Sequence, residues 1–138
     1  MKNWEVFIIS TNNRLAMINA LKITVVSYLR EHGFKGEFPH FRRQKENHID
    51  LITFQFNRYG GSFVVELAFC PAEGITTSWG EHISPKKVTA HDVNERYRLN
   101  EDLNDASKQW FHFENAIDEK DYEQVASEVK QLLHRKIE

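Results

Sequence analysis

Apolar positions along this chain change period several times, and each change marks an element. Leu15, Ile18, Leu21, Val25 and Leu29 recur at three- and four-residue spacing, which predicts a helix over about residues 12–32. Ser10, Thr11 and Asn12 offer N-cap oxygens. Gly33 suits the left-handed residue after the C-cap, which would fold Phe34 back onto Leu29 in a Schellman motif. A second stripe of Tyr122, Val125, Ala126, Val129, Leu132 and Leu133 predicts a closing helix over about 119–136. Asp118 is its candidate N-cap, and His134, Arg135 and Lys136 suit the negative end of its dipole. Trp4 to Ile9 suits either a short strand or a first helical turn.

Between the helices the period falls to two. Gly60-Gly61 predicts a hairpin with a two-residue turn, because glycine adopts positive φ at little cost. Setting Tyr59 opposite Ser62 pairs Phe56 with Val65, Phe54 with Leu67 and Ile52 with Phe69 on one apolar face. The other face then pairs Asn57 with Val64, Gln55 with Glu66, Thr53 with Ala68 and Leu51 with Cys70. A one-residue slip would set apolar against polar throughout. Phe38 to Arg43 reads as a preceding strand, joined through Gln44 to Asn47, with Phe41 on the apolar face and His40 and Arg42 opposite. Val93 to Leu99 alternates again, with Tyr97 and Leu99 on one side and Arg96 and Arg98 on the other. Gln109 to Phe113 reads as a short strand or packed loop. Residues 71–91, with Pro71, Gly74, Gly80 and Pro85, follow no period, and loops of that length are often functional or mobile.

Helix, antiparallel strands, helix is an α+β order. The economical packing is a sheet of about four to five strands with the N-terminal and C-terminal helices on its apolar face and the other face solvated. A chain of 138 residues fits one domain spanning 1–138. Net charge is −2, so no global field draws the protein to nucleic acid or an anionic membrane. Cys70 is the single cysteine, which excludes an intrachain disulfide and suits a reducing compartment. No signal peptide and no run near the ~18 apolar residues of a membrane span stands out, so a cytoplasmic protein is expected.

Certain stretches resemble a bacterial family. These are Leu29 to Arg43, with its His32-Gly33-Phe34-Lys35 helix end and Phe41-Arg42-Arg43 strand, then Ile52 to Phe56, Gly61 to Leu67, and Arg96-Tyr97-Arg98-Leu99. Together they are similar to domain of unknown function 4304 over about two-thirds of the chain. The resemblance implies a small bacterial α+β protein and carries no activity or catalytic residues to transfer.

Motifs for phosphate loops, dinucleotide turns, zinc proteases and nucleophile elbows are missing, which favours a protein without catalytic activity. Cys70, His82 and His91, with Glu73 or Glu81, are acceptable metal ligands, but their spacing has no geometric rationale, and no metal or other cofactor is expected. His40, His48 and His112 read as ordinary polar positions. The constellation that carries most chemistry is His40, Arg42, Glu66, Arg96 and Arg98 on the sheet face away from the helices. Arginines presented from strands can clamp carboxylates or phosphates bidentately, or can simply pair with Glu66 and keep the face wet.

Three classes of function stay open. The preferred one is a protein-interaction or accessory domain, of the type of toxin-neutralising immunity proteins, acting through the solvated sheet face or the 72–92 loop. The second is a small-ligand or anion binder, or an enzyme, using the arginine-lined face. The third is a single-stranded nucleic-acid binder using Phe34-Lys35, Phe38 and Phe41 to Lys45, which the net charge disfavours.

Overall fold

The computed structural model describes residues 13–100 and 104–137, so the expectation for Trp4 to Ile9 lies outside the described residues. The N-terminal helix runs over residues 13–31, with a π-helical segment, Lys22–Val26, leading into an α-helical end, Ser27–Glu31. The wider π turn moves the buried stripe. Met17, Ala20 and Leu21 are buried before it and Val25, Val26, Tyr28 and Leu29 after, whereas Leu15, expected in the stripe, is exposed. The end is the expected Schellman motif. Gly33 has φ +90°, its N–H donates to the Arg30 carbonyl, and the Phe34 N–H donates to that of Leu29.

The main sheet is six-stranded and antiparallel, an α+β fold with the two helices. Its strands are β1 (Lys35–Glu37), β2 (His40–Gln44), β3 (His48–Phe56), β4 (Ser62–Pro71), β7 (Tyr97–Arg98) and β8 (Phe111–His112). The order is β1-β2-β3-β4-β7, and β8 pairs with the start of β4. The strand expected over Val93 to Leu99 shrinks to the two residues of β7, because the chain bends at 94–95.

The hairpin differs from its expected register. Phe54 pairs with Val65 rather than Leu67, Ile52 with Leu67, and Phe56 with Phe63. Every expected pair is displaced by two residues, so each side chain keeps its face and changes its partner. The turn is longer than Gly60-Gly61 alone. Asn57 Oδ1 accepts the Tyr59 N–H, the Gly60 N–H donates to the Asn57 carbonyl, and the Asn57 N–H donates to Ser62. The loop brings the Phe56 and Phe63 rings into a stack with centroids 5.1 Å apart.

One face of the sheet carries the main core. Phe41, Ile52, Phe54, Phe63 and Val65 pack under Leu21, Val25 and Leu29 of the first helix, and under Tyr122, Ala126, Val129 and Leu133 of the C-terminal helix, Glu119–Ile137. Asp118 caps that helix as expected, its Oδ1 accepting the Asp121 N–H at 3.1 Å.

The opposite face is not solvated as expected. Residues 72–93 cross it as a strap built from a small hairpin, β5 (Ile75–Thr76) with β6 (His82–Ile83), and a 3-10 turn, Ala90–Asp92. Val88 and Ala90 are buried there against Ile49, Leu51, Ala68 and Cys70, with Ile75, Ile83 and Val93 around them. Gly74 makes the strap's tight entry. It has φ +95°, and a Cβ there would lie 2.1 Å from the Ile83 carbonyl oxygen.

Candidate interaction site

His40, Glu66 and Arg96 meet on the face beneath the strap. Register puts His40 opposite Thr53, and Thr53 opposite Glu66, so the three share one row. His40 Nδ1 and the buried Thr53 Oγ1 are hydrogen-bonded at 2.9 Å. Glu66 is 8% exposed. Its carboxylate meets Arg96 Nε at 3.3 Å and His91 Nε2 at 3.9 Å, both delivered by the strap and its exit. The His91 ring stands edge-on to His40, with centroids 5.6 Å apart. Burial, then the charge of His91, holds His40 below the usual histidine range, with Asp92 pulling the other way. A carboxylate this buried needs a compensating cation, and here the compensation fastens the strap to the sheet.

The other two sequence candidates do not join this cluster. Arg42 lies opposite Leu51 and engages no partner among the described residues. Arg98 lies opposite Glu66 but donates to Gln109 Oε1 at 3.1 Å, and its guanidinium sits 5.3 Å from the Trp110 ring centroid. The structure thus brings His40, Glu66 and Arg96 together and leaves the three arginines unconverged. The Cys and His candidates are dispersed as well. His82 binds Thr76 Oγ1 and the Glu73 carbonyl, while burial, with Glu73 and Asp92 behind it, pushes the Cys70 thiol up. Among the described residues no group of three or more His, Cys, Asp and Glu is placed to hold a metal.

Among the described residues a groove opens on the helix side of the sheet, beside the last turn of the C-terminal helix. Its volume is about 570 Å³. Two cross-strand rows form the floor. Ile52, Leu67 and Tyr97 make one, and Arg43, Asp50 and Phe69 the other. Phe69 is 62% exposed and Tyr97 48% exposed, although both occupy the apolar face. Beside them Arg43 gives Nε and Nη2 to Asp50 Oδ2, each at 3.0 Å, and His48 Nε2 donates to Asp50 Oδ1 at 3.1 Å. Arg43 also donates to the carbonyls of His32 and Ile137, the ends of both helices, and lies over the Phe34 ring. The Arg43–Asp50 part of the floor is therefore charge-balanced, and next to it two large rings face solvent.

Alternation along β4 and β7 placed Phe69 and Tyr97 on the helix side but gave no sign that the helix stops short of them. A signal was present in length. Strand β4 is 10 residues, roughly 34 Å at the usual rise per residue, longer than the helix above it at roughly 28 Å for 19 residues.

The family model for domain of unknown function DUF4304 matches residues 25–138, and the chain belongs to that family. No curated protein and no solved structure matches it. Among the described residues no helix is long and apolar enough to cross a membrane.

Proposed function

We propose that this protein is an interaction domain that receives a segment of another protein in the groove between the sheet end and the C-terminal helix. One observation carries the reading. Phe69 and Tyr97, 62% and 48% exposed, both line a concavity of about 570 Å³. Large rings left uncovered in a concave site resemble the anchors that dominate protein interfaces, and Tyr in particular is enriched there. Arg43 and Asp50 supply a preorganised part of the floor against which a bound chain can pack. The arginine-face reading has less support, since Glu66 already holds Arg96 under the strap. We place the protein in the cytoplasm of a bacterium, where its lone buried thiol suits the redox conditions. It would act by occupying its partner, as toxin-neutralising immunity proteins do, a likeness of type that rests on no shared motif.

The test is a selection from a random dodecapeptide display library on the immobilised protein, counter-screened with Phe69→Ala/Tyr97→Ala and with circular dichroism as the fold control. The reading predicts an enriched pool whose binding is lost in the double variant. A pool that binds the double variant equally, or no enrichment, contradicts it.

A further inference from the structure

We infer that the segment this groove receives is acidic, with an apolar or aromatic anchor. The inference rests on the groove reading and names the occupant's chemistry. The groove's single carboxylate among its described lining residues, Asp50, is already paired with Arg43 at 3.0 Å and hydrogen-bonded to His48 at 3.1 Å. Lys45 and Lys136 both line this concavity, one after β2 and one on the helix's last turn, both exposed and neither with an ion pair among the described residues. The helix's carbonyl end would normally bias this corner negative, yet the Ile137 carbonyl is taken by Arg43 at 3.2 Å. Among the described residues the uncompensated charge facing a ligand is therefore positive, on a chain whose net charge is −2. Complementary rim charges of this kind steer an acidic chain in, while the exposed rings of the same groove take its apolar side chain.

The same lysines and rings would also attract a single-stranded nucleic acid. The structure favours a peptide. The guanidinium groups best suited to phosphates, those of Arg43 and Arg98, are engaged within the protein, and a carboxylate occupies the floor where a backbone phosphate would run.

The composition of the selected peptide pool tests this separately from the groove itself. An acidic pool supports the inference. So does binding that falls about tenfold in Lys45→Glu/Lys136→Glu and weakens with added salt, as expected for exposed ion pairs. A neutral or basic pool that still depends on Phe69 and Tyr97 overturns the inference and leaves the groove reading standing. A pool indifferent to those two residues overturns both. Oligouridylate that displaces the selected peptides and binds more tightly overturns the inference in favour of nucleic acid.

Discussion

Arg43 and Asp50 face each other across β2 and β3, and through this pair a single guanidinium joins the sheet to the carbonyl ends of both helices. The planar fork makes this economical. One group meets a carboxylate, two carbonyls and the Phe34 ring, which a lysine ammonium cannot do. Arg43→Ala should cost about 2–3 kcal/mol, because it strands a part-buried carboxylate and two helix-end carbonyls. Arg43→Lys should recover less than half of that. Urea denaturation of the two variants reads both values, and equal stability of Lys and Arg at this position would show that the fork is unused.

The strap depends on a different pair. Among the described residues, removing Arg96 leaves the buried Glu66 carboxylate with His91 alone, at 3.9 Å. Because Arg96 is itself partly exposed, Arg96→Ala should cost only about 1 kcal/mol, and the loss should be local. Hydrogen exchange should speed up over residues 72–93 and not in β3. Uniform acceleration across the sheet would mean that the strap is not a separate unit.

His40 gives that latch a pH dependence. Its folded form is held below the ordinary histidine value, 6.5, by burial and by His91. As pH falls past that value the unfolded chain takes up the proton before the folded one does. Stability from the neutral His40 is thus full above about 6.5 and is lost as pH drops toward the folded value. The groups facing it are Thr53, His91 and Asp92, with Glu66 and Arg96 beyond. His40→Gln should flatten the stability profile just below pH 6.5 relative to the parent protein. Parallel profiles for the two proteins would remove His40 from the account.

The main core predicts a large effect at Phe54, which is 2% exposed and lies against Phe38 and Phe41. Phe54→Ala should destabilise by about 3–5 kcal/mol, the range for a buried ring truncated to alanine. A loss under ~1 kcal/mol in equilibrium unfolding would show that the ring is not packed as described.

Much of this fold is legible in the sequence, and the failures have physical causes. The Schellman end at Gly33 and the Asp118 cap are local chemistry, complete within a few residues. The β3–β4 register is not. A two-residue displacement leaves every side chain on its face, so alternation cannot tell Val65 from Leu67 as the partner of Phe54. Only the Asn57 turn decides it, through contacts no periodicity reports. The covered second face did have a signal. Leu51-Ile52 and Phe63-Val64-Val65 are apolar on consecutive residues, the pattern of strands buried on both sides. The strap that covers them has no period, because Ile75, Ile83, Val88 and Ala90 reach the sheet from a folded-back hairpin and a 3-10 turn. His40, Glu66 and Arg96 were correctly set on one face by parity. The groove depends on where the C-terminal helix ends over the strands, a tertiary relation that alternation alone does not encode.

The groove reading is tested most directly by backbone amide shift mapping of the labelled protein, titrated with the tightest peptide from the display selection. Perturbations should gather at Leu67 to Phe69, at Tyr97, and at Lys136 and Ile137, the residues around the open floor. Perturbations gathered at Arg42, on the strap at residues 72–93, or on the exposed faces of the helices would contradict it.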